Sequence, residues 1–356
     1  MRFQQLRIAN LRSIAAEDIV LAPGWNVFSG PNGAGKTSLL EAAFLLSHGR
    51  SFRSAARDAL TRHGSAGFSV FGELADPVAR VGLARRDGAL QARLDGQDVA
   101  VGELLRQVAV TCFEPGSHAL IAGAAEERRR YLDWGVFHVE PLFLATWRRY
   151  QRALRQRNAL LRNQAGAAEL APWDVELAAN GEAITAMRVR YFAQLQPFVT
   201  ALCGELLVEL GPPRLHLEEG YDTGASLFDI LQSRRERDTA RGHTTAGPHR
   251  ADWQIGFDAA PRREHLSRGQ EKLCAFACLL GQARHHAAAS GSWPVLCLDD
   301  LASEVDAAHL ARMRDAAEQG GAQVLVTGTS AESTPTPPSG EVAWFHVEQG
   351  RVRRAT

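Results

Sequence analysis

Lysine is nearly missing from this chain: two lysines stand against 38 arginines in 356 residues. A mutational bias toward arginine accounts for most of that ratio, so the survivors, Lys36 and Lys272, each call for a local reason. Cysteine is also scarce. The five thiols, Cys112, Cys203, Cys274, Cys278 and Cys297, are odd in number and form no CxxC, which argues against a disulfide framework or a zinc site. Cys274 and Cys278, four apart in an apolar stretch, read as small buried hydrophobes on one helix face. No apolar run is long enough to cross a bilayer, and the start, Met1 to Arg7, lacks the apolar core of a signal peptide; a cytoplasmic protein with no membrane partner is expected. Net charge is absent too, with 40 basic and 40 acidic side chains, so the total gives no hint of a nucleic-acid partner. There is no internal repeat and no sustained heptad. What is present, 45% hydrophobic and 22% charged residues, is the composition of a folded globular protein.

The texture changes twice along the chain. Residues 1–29 carry short strand-like runs, ending in the apolar Trp25-Asn26-Val27-Phe28. A helix is expected from Ser38 to Ser47, and residues 66–112 look β-rich, punctuated by Asp87-Gly88 and Asp95-Gly96. From Glu126 to Glu209 the periodicity is helical, with Pro172 expected to break it and a new helix from Asp174 to Leu206. After Gly247-Pro248 strands and helices alternate again. Pro294–Leu298 and Ala322–Val326 read as buried parallel strands around helices, an α/β pattern. The predicted organisation is an α/β domain in two pieces, residues 1–112 and 244–356, with a mostly helical insertion over residues 113–243.

Gly30-Pro31-Asn32-Gly33-Ala34-Gly35-Lys36-Thr37 fits G-x-x-x-x-G-K-[ST] between an apolar strand and a helix, the context of a P-loop. Its backbone N–H groups, with the helix N-terminus behind them, suit phosphate oxygens. Lys36 is assigned to the β- and γ-phosphates of ATP and Thr37 to Mg²⁺. A slim ammonium enters such a loop where a planar guanidinium fits poorly, which explains one surviving lysine. The metal needs a carboxylate at the end of a buried strand. Val295-Leu296-Cys297-Leu298-Asp299-Asp300 supplies Asp299 for Mg²⁺ and Asp300 to orient or deprotonate the attacking water. Leu266-Ser267-Arg268-Gly269-Gln270 reads as a capped helix start, with Ser267 and Gln270 in capping-box spacing, yet capping leaves Gly269 unexplained.

The order P-loop, Leu-Ser-x-Gly-Gln, Asp-Asp, then Ser303-Glu304-Val305-Asp306 resembles an ABC-type ATPase head of the SMC kind. Asn10–Ser13, Leu40-Glu41-Ala42, Gly49–Arg53, Arg128–Trp134, Gly247–Asp252 and Leu298–Glu304 narrow the resemblance to the RecF family over nearly the whole chain. That resemblance implies a protein of DNA repair, replication and the SOS response, an ATP-dependent homodimer on double-stranded DNA near gaps. It implies slow ATP hydrolysis and help in loading RecA together with RecR. It also assigns Ser267, Gly269 and Gln270 to the γ-phosphate held by a second copy, and Ser303 and Asp306 to the loop between copies. Two departures suggest a weak ATPase used as a switch. Val326-Thr327-Gly328-Thr329 has no switch histidine, and Asp300 is one methylene shorter than the usual glutamate. Gln107 is the nearest candidate for the family's loop glutamine. For DNA, the candidates are Arg50, Arg53 and Arg57 just after the P-loop helix, and Arg148, Arg149, Arg152, Arg155 and Arg157 in the helical insertion, with Arg53, Arg57, Arg149 and Arg152 put first; Arg128–Arg130 are expected to pair with Glu126, Glu127 and Asp133. The competing class, the nucleotide-binding subunit of an ABC transporter, predicts a switch histidine and no large helical insertion.

Overall fold

A computed structural model describes residues 1–53, 57–303, 305–330, 334–337 and 341–355. Glu304 and the side chains of Arg57 and Ser303, all named above, lie outside the described residues, as does part of the proline-rich Ser333–Gly340 segment. The strands are β1 (Phe3–Leu11), β2 (Ile14–Val20), β3 (Trp25–Ser29), β4 (Phe68–Ala75), β5 (Val78–Arg86), β6 (Ala89–Leu94), β7 (Gln97–Val99), β8 (Val110–Phe113), β9 (Pro213–Glu218), β10 (Asp252–Phe257), β11 (Val295–Leu298), β12 (Val324–Gly328), β13 (Val342–Glu348) and β14 (Arg351–Arg354). The helices are α1 (Lys36–His48), α2 (Val101–Gln107), α3 (Ala119–Ala122), α4 (Ala125–Val139), α5 (Phe143–Arg162), α6 (Ala167–Leu206), α7 (Leu227–Ser233), α8 (Arg235–Arg241), α9 (Arg268–Ser290) and α10 (Ala307–Glu318). No described helix is long and apolar enough to cross a membrane.

The chain forms two compact units. One holds residues 1–118, 201–209 and 266–356; the other holds 119–200 and 210–265. The first is built on two six-stranded sheets, ordered β2-β1-β4-β5-β6-β7 and β14-β13-β3-β12-β11-β8. Helix α1 touches strands of both sheets. Its sequence is apolar nearly all round, as a helix buried on every side requires, and Leu39, Leu40, Ala42, Ala43, Leu45 and Leu46 are buried. In the second sheet β13, β3, β12, β11 and β8 run parallel, so their carboxyl ends share one edge. Loops after such ends carry the ligand sites of open α/β sheets. Here that edge collects Gly30 after β3, Thr327 at the end of β12 and Asp299 after β11.

The second unit is largely helical. Buried Arg157 organises it, donating to Asp174 (2.7 Å), Asp238 (2.8 Å) and Thr244 (2.8 Å). A guanidinium removed from water needs such paired acceptors. The expected break at Pro172 does not occur: α6 runs through both Pro172 and Pro197. Pro172 lies in the second turn, where one intrahelical bond is forgone, while Leu170, Leu177, Ile184, Tyr191 and Leu195 keep one face of the helix buried. Strand β10, within the stretch after Gly247-Pro248 read as alternating strands and helices, pairs in antiparallel fashion with β9.

Candidate nucleotide site

Backbone geometry sets the loop from Gly30 to Thr37. Gly35 caps α1 at φ 110°, and a β-carbon there would stand 2.9 Å from Ser13 Oγ, so only glycine fits. Lys36 turns inward, donating from Nζ to the carbonyls of Gly30 (2.7 Å) and Pro31 (3.0 Å). Burial lowers its pKa, while Asp300 and Asp299 act to raise it. Behind it, Thr37 Oγ1 donates to Asp299 Oδ1 at 3.0 Å. Thr327 Oγ1 donates to the same oxygen at 2.7 Å and accepts the Asp300 N–H at 2.9 Å. Asp299 is 5% exposed. Burial raises its pKa, against the two threonine hydrogen bonds. No hydrogen bond from a described residue reaches its Oδ2. A hydroxyl and a carboxylate oxygen at a loop-helix junction form the hard-oxygen donor set that suits Mg²⁺. Asp300 follows at φ 49°, a left-handed backbone uncommon outside glycine, fixed by the Thr327 hydroxyl.

These groups line one cleft of about 320 Å³, together with Asn32, Gly33, Ala34, Arg12, Ser13 and Arg53. Gln107 ends α2 and is not among its lining residues. Four residues at or behind the cleft have no assigned role in the sequence. Thr327 reads there only as standing where a histidine is absent. Arg12, Glu41 and Ser51 are marks of resemblance and nothing more. The structure joins them: Arg12 clamps Glu41 through Nε (2.9 Å) and Nη2 (2.8 Å), and Ser51 Oγ donates to Glu41 while accepting the Arg53 N–H at 2.9 Å. Glu41 is fully buried; the ion pair ties Arg12 to α1, and the Ser51 hydroxyl ties the chain segment carrying Arg53 to the same carboxylate.

Ser267, Gly269 and Gln270 do not line this cleft. They form the exposed start of α9, where Ser267 Oγ accepts the Gln270 N–H (3.3 Å) and Gln270 Oε1 accepts the Ser267 N–H (3.0 Å). Among the described residues, nothing lies within 4 Å of a β-carbon built on Gly269. Asp306 caps α10, accepting the N–H groups of Ala308 and His309 at 3.0 Å, and also meets His309 Nδ1 at 2.6 Å. Arg148, Arg149, Arg152 and Arg155 are exposed on α5, but Arg157 is fully buried against Asp174 and Asp238 and so does not present its charge to DNA. The expected pairing of Arg128–Arg130 holds only for Arg130, which meets Glu126 and Glu127. Arg128 instead clamps Asp252, Arg129 donates to the Ala251 carbonyl, and Asp133 pairs with Arg188.

The RecF/RecN/SMC N terminal domain family matches residues 2–336. The chain is 45% identical over 99% of both chains to the DNA replication and repair protein RecF of Stenotrophomonas maltophilia (strain R551-3). It is likewise 45% identical over 99% of both to the RecF of Xanthomonas euvesicatoria pv. vesicatoria (strain 85-10). Its fold matches that of the recombination mediator protein RecF solved with ATP, with a TM-score of 0.89 at 24% identity over 99% of this chain and 97% of the other. An Smc head bound to the C-winged helix domain of ScpA matches with a TM-score of 0.59 at 15% identity, over 100% of this chain and 97% of that one. The fold is thus an ABC-type ATPase head, and the chain belongs to the RecF family.

Proposed function

We propose that this chain is an ATP-dependent DNA-binding protein of recombinational repair and replication, closing as a homodimer on double-stranded DNA beside single-strand gaps. Its ATPase is a slow switch, and its partners are duplex DNA, a second copy of itself and RecR, with RecA loading as the outcome in the cytoplasm. The names of its relatives support the pathway: they are DNA replication and repair proteins, and one solved neighbour is a recombination mediator of the RecFOR pathway.

The observation that carries the dimer is the separation of two half-sites. The P-loop cleft contains Lys36, Thr37, Asp299 and Asp300, whereas Ser267 and Gly269 stand exposed at the start of α9 and outside that cleft. An exposed helix N-terminus with a bare glycine can approach a phosphate on another molecule, and a serine hydroxyl can then leave its cap to contact it. Thr37 and Asp299 would hold Mg²⁺, which would neutralise charge on the β- and γ-phosphates. Lys36 then exchanges its two carbonyl partners for phosphate oxygens. Asp300, at a fixed backbone angle, orients water toward the γ-phosphate. Arg53 at the cleft rim, with Arg57, Arg149 and Arg152, supplies cations for DNA phosphates.

Mixing tests this reading. Lys36→Met lacks a working P-loop and Ser267→Arg lacks a working second half-site. Each is expected to be inactive alone. Their mixture contains dimers with one intact composite site and recovers part of the wild-type ATPase rate. A mixture as inactive as its components contradicts the reading.

A further inference from the structure

The second unit carries a basic pocket of its own, built from residues that have no part in the nucleotide site. Its floor is the outer face of the β9–β10 ribbon. Arg214 and His216 project from β9, opposite Gly256 and Gln254 of β10 in the antiparallel register. Its wall is the segment Pro261–His265, which bends back over the ribbon. Gly256 makes that bend possible, because a β-carbon there would lie 2.3 Å from the Pro261 carbonyl oxygen. The missing side chain also leaves open space beside Arg214. The cavity measures about 520 Å³, room for one nucleotide unit.

Charge in the pocket is lopsided. Three guanidiniums, Arg214, Arg262 and Arg263, face one lining carboxylate, Glu264, which pairs with Arg263 at 3.1 Å. Arg214 reaches Asp258 at the edge, and Arg262 has no ion pair among the described residues. Arg263 Nη1 is shielded from solvent and has no hydrogen-bond partner among the described residues. A shielded N–H left unpaired is unfavourable, while the rest of the Arg263 side chain is 32% exposed beside the pocket. Guanidinium forks match phosphate geometry better than any other side chain does.

We propose that this pocket holds a phosphate of a nucleic-acid strand, seated among Arg214, Arg262 and Arg263. This rests on the DNA-binding reading and extends it to a site on the β9–β10 ribbon, separate from the arginines of α5. A free phosphate ion shares the chemistry, so the test must separate the two sources.

The experiment measures binding of gapped duplex DNA by fluorescence anisotropy with ATP and Mg²⁺, over a range of NaCl concentrations. It compares the wild type with Arg214→Gln/Arg262→Gln and with Arg149→Gln/Arg152→Gln. The pocket variant is expected to bind about tenfold more weakly at intermediate salt and to lower the salt slope by about two, one for each guanidinium removed from the strand. DNA-free ATPase activity reports that the variant is folded. A pocket variant with wild-type affinity and slope overturns the inference and leaves the DNA reading intact; a wild type that binds no duplex overturns the DNA reading itself. A second measurement does not depend on removing arginines. All five native cysteines are buried, so Gln254→Cys places a reactive thiol in the pocket. DNA carrying a bromoacetyl group on a backbone phosphorothioate is expected to alkylate it, and excess unmodified duplex, but not 10 mM inorganic phosphate, is expected to suppress the reaction. Suppression by inorganic phosphate alone, or labelling no faster than that of a free thiol, contradicts a strand-binding role.

Discussion

Thr37 and Asp299 stand 262 residues apart in the chain and meet through a 3.0 Å hydrogen bond. One is the last residue of the phosphate loop, the other the first residue past β11. Thr327 adds a third strand end by bonding Asp299 and holding the Asp300 N–H. Three loops are thereby fixed at one sheet edge before any ligand arrives.

Thr327 is therefore expected to position Asp299 and Asp300 rather than to react. Thr327→Val keeps the shape but removes one of the two hydrogen bonds to Asp299 Oδ1 and leaves the Asp300 N–H without its acceptor. It should cost about 1–3 kcal/mol in denaturant unfolding and lower ATP turnover on the order of tenfold, with little change in ATP affinity. Turnover at the wild-type rate would remove Thr327 from the site.

Arg12 and Glu41 make a second prediction. Glu41 has no exposure, so Arg12→Ala leaves a buried carboxylate without its cation. The expected loss is about 3 kcal/mol of stability, read from urea unfolding midpoints. Arg12→Ala/Glu41→Gln should recover more than half of that loss, because the stranded charge is then gone.

A pH effect follows from His249. Burial pushes its pKa down to about 4, helped by Arg250 and Arg129 and opposed by the hydrogen bond to the Thr244 carbonyl and by Asp238. Its other nitrogen meets the Tyr150 hydroxyl, whose pKa burial raises. A histidine near 6.5 when unfolded and near 4 when folded takes up its proton on unfolding. Its contribution is therefore complete above about pH 6.5 and disappears as pH falls toward 4, about 3 kcal/mol across the window. Urea midpoints at pH 7.5 and 5.0 should differ more for the wild type than for His249→Gln; equal differences would contradict a buried neutral imidazole.

Substitution inside the cleft should separate binding from hydrolysis. Lys36→Met removes the loop's only ammonium and should abolish ATP binding in a filter assay. Asp300→Asn should bind ATP and dimerise while turning over at least tenfold more slowly. Normal hydrolysis by Asp300→Asn would reject its role toward water.

Much of this was legible in the residues because local patterns carried it. The P-loop announces itself by fixed glycine spacing, β11 by an unbroken apolar run ending in two carboxylates, and the start of α9 by capping-box spacing that the structure reproduces atom for atom. Contacts between distant segments were not legible. Nothing in Arg12 or Ser51 names Glu41 as a common partner, and Thr327 gains meaning only from the parallel pairing of β11 with β12. Pro172 misled for a related reason: a proline's local penalty is visible in sequence, whereas the packing that carries α6 through it is tertiary.

The central claim is that one chain holds only half of a nucleotide site, Lys36 in its cleft and Ser267 outside it. Sedimentation velocity of the wild type with ATP and Mg²⁺ tests this most directly, beside Ser267→Arg under the same conditions. The predicted result is a shift from monomer to dimer that requires ATP and does not occur in Ser267→Arg. A wild type that stays monomeric at every ATP concentration, with or without duplex DNA, would contradict it.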